Sequence, residues 1–375
     1  MPPFKDNISP AAVAELTAAF ALAATRAGVS FDAPAFTTDA VQGLDDLELK
    51  ARVKHVARAI EAHLPLPPDR LFALLVDAAG PPLEATEAVA AKWHLWPVLQ
   101  VVENIGPQDI PAALGALREL TQRWSGEFAI RPLLVADPPQ VFATLLDGND
   151  AWVRDPDAHV RRLASEGTRP RLPWGGRLHH LEQDPTDNLR VLEALKDDPE
   201  LYVRRSVANH LNDLSKVDPD LAVARCAQWL KGASEERQWV VKHALRDLLK
   251  KSHPGALSLM GFGAQDVELG TVEVMAPEVA IGDTLQFRIV LTSLSDDEQT
   301  LMVDYAVHHR GARGTLRPKV FKWTKLALAP RAQVVLQRAH PMRVVSTRTL
   351  YPGPHGIDVR VNGLKSELTG FVLRD

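Results

Sequence analysis

A stretch that returns after 43 residues constrains the fold of this chain more than any other feature. Asp155-Pro156-Asp157-Ala158-His159-Val160-Arg161-Arg162 reappears as Asp198-Pro199-Glu200-Leu201-Tyr202-Val203-Arg204-Arg205, and a degenerate third copy runs from Trp239 to Arg246. A period of about 40 to 47 residues belongs to HEAT and armadillo arrays, in which each repeat is a set of helices that cannot bury its apolar face alone. Each copy is expected to open with Asp as N-cap and Pro at the first helical position, Asp155-Pro156 and Asp198-Pro199. An apolar stripe follows, Val160, Leu163 and Ala164 in one copy and Val203, Ser206, Val207, His210 and Leu211 in the other. Helices in the segments beginning HHLEQ and PDLAVARCAQWL would form the second layer. The predicted architecture is an α-solenoid of HEAT-like helical repeats.

The rest of the chain extends this pattern and then breaks it. Ser9-Pro10 is a sound start signal for the helix AAVAELTAAFALAATRA, and LDDLELKARVKHVARAIEAHL and the stretch after Pro97 are also helical, separated by LPLPPDR and AAGPPLE. Trp93 and Trp96, flanking His94, read as core aromatics at helical spacing, and Glu127 with Arg131 as an exposed pair four residues apart. Beyond Gly263 the period falls to two in runs such as TLQFRIVLTSL, TLMVDYAVHHR and GIDVRVNGL, divided by Gly, Pro and Asp turns. Such spacing predicts a small all-β immunoglobulin-like sandwich. The expected domains are therefore 1–263, the solenoid, and 264–375, a sandwich that caps the solenoid or clamps its ligand. For the clamp, the stretch holding Arg343, Arg348, Tyr351 and His355 would face a groove.

Cys226 is the only cysteine, so no internal disulfide or cysteine zinc cluster can form, which suits a reducing compartment. The N-terminus has no apolar leader core, and no later run approaches the roughly 20 apolar residues that span a bilayer. No membrane partner is expected. The net charge of −4 is uneven: 11 basic against 19 acidic residues in 1–150, 18 against 16 in 151–263, and 14 against 12 in 264–375. A polyanion would meet the middle and end of the chain, given local clustering of cations.

The stretch HVRRLASEGTRPRLPW, residues 159–174, supplies that clustering. Superimposing the copies puts Glu166, Asn209 and Arg246 at one position, opposite the apolar stripe, with Arg162, Arg205 and Lys242 one turn back and Asn212, Asp213 and Lys216 beyond Asn209. If these helices line the inner face, Arg161, Arg162, Arg169, Arg171, Arg204, Arg205, Asn209, Asn212, Lys216, Lys242 and Arg246, with Arg348 in the sandwich, form a DNA-binding set whose guanidinium forks pair phosphate oxygens. Spacing alone equally allows a solvated outer face, with Arg162 and Glu166 an ordinary surface pair. Two features argue otherwise. The copies differ at the Glu166 position while keeping Val-Arg-Arg, and Gly167 and Pro170 stop the helix so that Trp174 stands beside the acid. His179-His180, His210 and His308-His309 lack a metal-ligand spacing, and no GxSxG elbow or phosphate-cradling loop is present.

Together with GEFAIRP at 126–132 and YVRRSVANHLND at 202–213, this stretch resembles the AlkC branch of the alkylpurine DNA glycosylases built from HEAT-like repeats. The resemblance covers roughly Trp93 to Gly263, and some members of the branch carry an appended immunoglobulin-like domain. It implies excision of cationic N-methylated bases, 3-methyladenine foremost and also 3-methylcytosine, from double-stranded DNA, without a base-flipping pocket. It also implies Glu166 as the acid that stabilises the sugar cation and positions water, Trp174 as a π face, and Glu127 and Asp213 in support. No cofactor and no metal are expected, and the chain is expected to act as a monomer in the bacterial cytoplasm, at the nucleoid when bound. A non-catalytic HEAT scaffold for nucleic acid or protein is the alternative, though it leaves Glu166 beside Trp174 without a purpose.

Overall fold

In a computed structural model the described residues are 3–83, 92–262, 266–344 and 349–375. Among them, 16 α-helices run from Pro10–Ala27 to Pro254–Leu259, and ten strands from Val267–Leu269 to Thr369–Arg374. The helical part followed by an all-β part is the predicted order. Ser9 caps the first helix by accepting from the Ala12 amide, Pro10 opens it, and Gly28 closes it at a φ of 64°. By length and composition alone the 24 residues Phe4–Ala27 could cross a membrane, and among the described residues no later helix is long and apolar enough to do so. One side of that helix is packed, with Val13, Leu16, Phe20, Ala23 and Ala24 buried.

The repeats are built differently from their expected caps. Helix Ala158–Glu166 is capped by Asp157, whose carboxylate accepts from the His159 and Val160 amides, and helix Leu201–Leu214 begins after Glu200, which makes no side-chain cap. Asp155 and Asp198 stand two residues earlier and accept from the amides of Asp157 and Glu200, at 2.8 and 2.9 Å. Their second task joins repeats. Arg118 Nε donates to Asp155 at 2.7 Å, and Arg161 Nε to Asp198 at 2.6 Å. Arg161 and Arg204 each also donate to the two carbonyls of the preceding Asp-Pro. Arg118 lies 43 residues before Arg161, so the joint marks an earlier copy that the sequence pattern hides.

Helix Leu201–Leu214 packs between Ala158–Glu166 and Glu235–Ala244. The third copy is interrupted, because Glu235–Ala244 ends before Leu245 and Arg246 opens a separate short helix, Arg246–Lys250. Arg246 is therefore not the helical equivalent of Glu166 and Asn209, a correction to the superposition.

The β part is a two-sheet sandwich. In one sheet Thr284–Ser293 lies between Val267–Leu269 and Glu273–Val274 along one path and also pairs antiparallel with Gln333–Pro341. The other follows the order Glu278–Ala280, Thr369–Arg374, Gly353–Val361, Gln299–Arg310, Leu316–Leu328. Alternation along Thr284–Ser293 sends Leu285, Phe287, Ile289 and Leu291 inward against Val303, Tyr305, Val307, Ile357 and Val359. Cys226 is buried and unpaired, and burial pushes its thiol up to about 12.

Compactness divides the chain elsewhere than at the helix-to-strand change. One unit is Met1–Asp218 with Trp229–Ala244, and the other Pro219–Gln228 with Leu245–Asp375. Helices between 245 and 262 thus group with the sandwich, whereas the sequence pattern assigns them to the solenoid.

Candidate active site

The first unit gathers its charged side chains around the last turn of helix Ala158–Glu166. Helical geometry sets Arg162 and Glu166 on one face, and the chain then turns at Gly167, where a Cβ would lie 2.4 Å from Ile130 Cγ2. That close approach requires glycine. The tight turn brings Arg169 back beneath Glu166, and its Nη1 donates to Glu166 Oε1 at 2.7 Å while its Nε donates to Asp213 at 2.9 Å. Ser206 Oγ donates to Glu166 Oε2 at 2.7 Å, and Arg162 stands 3.6 Å from Oε1.

Glu166 is 7% exposed, so this is no surface pair. Burial by itself would raise its pKa, but Arg162, Arg169 and the Ser206 hydroxyl outweigh it and hold the carboxyl below the ordinary glutamate range. The group is an anion at neutral pH. Arg162 also donates to Glu127 at 2.8 Å and to Ser125 at 2.5 Å, and its guanidinium sits 5.0 Å from the Tyr202 ring centroid. Held between Glu127 and Glu166, Arg162 is strongly biased to its charged form, despite the burial that opposes it.

Beneath the acid runs a neutral buried chain. His210 is wholly buried, its Nδ1 2.9 Å from the Ser165 carbonyl and its Nε2 2.6 Å from the Asn188 amide nitrogen, which also donates to the Thr168 carbonyl. Burial and the Arg169 charge depress the imidazole to about 3, so it is neutral, donating from Nδ1 and accepting at Nε2.

A cavity of about 490 Å³ opens against this cluster, walled by Trp93, Trp96, Trp124, Phe128, Trp174 and Tyr202, with Glu127, Arg162 and Glu166 as its charged groups. Trp93 lies 5.1 Å from Trp124 and 5.9 Å from Trp96, which stacks on Phe128 at 5.7 Å, so four of the walls brace one another. Trp174 is different. It is 60% exposed, with a φ of 66° that is uncommon outside glycine, and Lys50 donates to its carbonyl.

Of the expected catalytic residues, Glu166, Glu127 and Trp174 share this cavity, while Asp213 is buried behind it and joined through Arg169. The expected DNA-binding set is dispersed. Arg205 and Lys242 are exposed, and Asn209 is half-buried with His243 Nε2 3.2 Å from its Oδ1. Arg161 and Arg204 turn into the repeat joints, and Asn212 is fully buried, which corrects their placement on an outward strip. Arg162 and Arg169 are held by the site acids, Lys216 is 3.2 Å from Asp213, and Arg171 joins Arg177 on Glu182. Arg246 belongs to the second unit. Arg348 lies outside the described residues. His355 is buried, its Nε2 2.9 Å from the Tyr351 carbonyl, and so does not face a groove.

One reading of the sequence is overturned by these contacts and another is extended. Glu127 pairs with Arg162 and not with Arg131, which is itself buried, and Trp93 and Trp96 pack as expected but also line the cavity. Sequence reasoning missed Ser206, Tyr202, Asn188, Arg131 and the aromatic walls. For Ser206 and His210 a signal existed, since both are polar residues within an otherwise apolar stripe.

The chain is 36% identical to the uncharacterized protein YhaZ of Bacillus subtilis (strain 168) over 319 residues, 85% of each sequence. Residues 268–375 match the family model for the YhaZ C-terminal Ig-like domain. Among solved structures, the Pseudomonas fluorescens alkylpurine DNA glycosylase AlkC, bound to DNA containing an abasic site analog, superimposes with a TM-score of 0.86 at 32% identity over the whole of both chains.

Proposed function

Because this chain belongs to the AlkC family of alkylpurine DNA glycosylases, we propose that it hydrolyses the N-glycosidic bond of cationic N-methylated bases in duplex DNA, 3-methyladenine foremost and 3-methylcytosine as well. The observation that carries the reading is one anionic carboxylate, Glu166, on the wall of an aromatic cavity. A methylated base with a formal positive charge leaves without being protonated: the bond electrons go to the ring, which departs neutral. What needs stabilising is the positive charge that grows at C1′, and a fixed carboxylate does this because its partners are already oriented. Water then adds to C1′, and its proton passes to Glu166 or to solvent. A carboxyl held this acidic is a weak base, so electrostatic stabilisation and water placement are its main work.

Trp174 offers a π face to the cationic base or to the deoxyribose, a contact worth about 0.5 to 2 kcal/mol according to how far water is excluded. Arg162 fixes Glu127 and Glu166 in one arrangement, and Arg169 does the same for Glu166 and Asp213. The proposal includes attack from an open face, without enclosing the base in a flipping pocket, and the exposure of Trp174 supports this. A single chain carries every group named, so the activity needs no second copy, and the setting proposed is the cytoplasm. Incubating the protein with methylated duplex DNA and separating the released bases by chromatography tests the reading. Free 3-methyladenine is expected from the native protein and not from Glu166→Gln; no release by the native protein overturns it, and DNA binding without release would favour a scaffold.

A further inference from the structure

Arg131 is one of the few fully charged side chains buried in the first unit that pairs with no acid. It is 5% exposed, and both Nη atoms are spent on backbone while Nε is buried without a hydrogen-bond partner: Nη1 donates to the carbonyls of Gly167 at 3.0 Å and Arg169 at 2.8 Å, and Nη2 to that of Gly176. Those carbonyls belong to the two ends of one loop. The first two flank the turn that returns Arg169 to Glu166, and the third follows Trp174 by two residues. Gly175 lies against the same side chain, where a Cβ would be 3.1 Å from Arg131 Nε. Within the loop, only the Gly175 amide to Leu172 carbonyl and the Leu178 amide to Pro170 carbonyl, both 3.1 Å, bind the Trp174 end. Lys50 adds one contact from outside.

From this we infer that Arg131 is a positioning residue for base excision, a cross-brace that clamps loop 167–176 shut so that the Arg169 fork and the Trp174 ring are both set before DNA arrives. The inference rests on the proposed glycosylase reading. Three donors in a fixed plane meet three carbonyls that no other residue type satisfies together; lysine has the charge but not the fork. Without the brace, Trp174 has no reason to stay in a left-handed backbone conformation, and Arg169 loses the fixed carbonyl that aims it.

The test compares Arg131→Ala and Arg131→Lys with the native protein on methylated duplex DNA, after melting curves confirm that both are folded at the assay temperature. Single-turnover release is expected to fall about 100-fold in both, with duplex affinity changed by less than about threefold, a loss confined to the chemical step. Millimolar guanidinium is expected to restore release to Arg131→Ala by refilling the vacated fork, and not to Arg131→Lys. In parallel, acrylamide quenching of tryptophan emission, taken as the difference between chains with Trp174 and with Trp174→Phe, should rise when Arg131 is replaced. Full release by a folded Arg131→Ala, or equal quenching of Trp174 in the native and replaced proteins, overturns the inference. If the native protein releases no base, the glycosylase reading fails, and the quenching comparison alone decides the role of Arg131.

Discussion

At the scale of single residues, the weight falls on the charge of Glu166. Glu166→Gln keeps the volume and the Ser206 contact but leaves Arg162 and Arg169 sharing a neutral amide, so release is expected to fall by about 10² to 10⁴ while the fold persists. The pH profile has a direction. The folded carboxyl titrates below its ordinary value, so the active anion persists as pH falls through the usual glutamate range and is lost only beneath it. Single-turnover release, corrected for spontaneous base loss, should therefore hold flat on the acid side to below about 4.5, the ordinary glutamate value; a rate already halved at pH 5 to 6 would mean that another group controls it. Glu166 and Trp174 were legible in the sequence because the turn GTRPRLPW joins them within nine residues. Ser206, Arg131 and Tyr202 act across chain separations of 36 to 45 residues, and local spacing carries no record of which side chains a stacked repeat brings together.

Individual elements are joined by the arginine staples, and here the sequence misled in an instructive way. Val-Arg-Arg looks like a cationic motif, yet its first arginine turns to the backbone of its own Asp-Pro, in Arg161 spanning also to the next repeat, and only the second faces the site or solvent. Arg161 with Asp198 is largely buried, with side chains 12% and 2% exposed, so Arg161→Ala leaves an uncompensated carboxylate at a joint. Breaking such a pair costs about 3 to 5 kcal/mol, and a chemical denaturation curve should move by that amount. Arg205→Ala is the contrasting case: the residue is exposed, so the curve should not move, while the slope of log affinity for duplex DNA against log salt should flatten by about one phosphate contact. Equal destabilisation by the two replacements would refute the division of labour. The same helices hold a second signature in His210. Its folded value of about 3 lies under its ordinary 6.5, so the unfolded chain takes up a proton between these limits that the folded chain refuses. That share of the stability is complete above 6.5 and drains away as pH falls towards 3. The native protein should lose stability more steeply over this window than His210→Gln, and parallel curves would mean that His210 is not neutral in its network.

For the whole molecule, the lesson concerns where one folding unit ends. A 3.6-residue period shows that a helix has an apolar side but not what that side packs on, so residues 245–262 read as a continuation of the solenoid. Their contacts say otherwise. Phe262 lies under the Lys325 ammonium at 4.5 Å, and at Gly363, whose φ is 95°, a Cβ would come within 3.0 Å of Ser252 and 3.3 Å of Leu257. Residues 219–228 join the same unit, as the gap between Gly255 and Val223 leaves no more than 3.1 Å for a Cβ. The matched family model starts at 268, at the first strand, and so omits these helices. A fragment beginning at 266 keeps both sheets but exposes the surfaces that Phe262, Leu257 and Ser252 cover. Burying an apolar side chain contributes about 1.5 to 3 kcal/mol, so restoring Leu257 and Phe262 is enough to decide whether a small sandwich melts above or below ambient temperature. A fragment of 245–375 is therefore expected to melt at least about 10 °C above one of 266–375, since 1 kcal/mol moves a domain of this size by roughly 4 to 8 °C. Matching midpoints would return residues 245–262 to the solenoid and move the folding boundary to the end of the last helix.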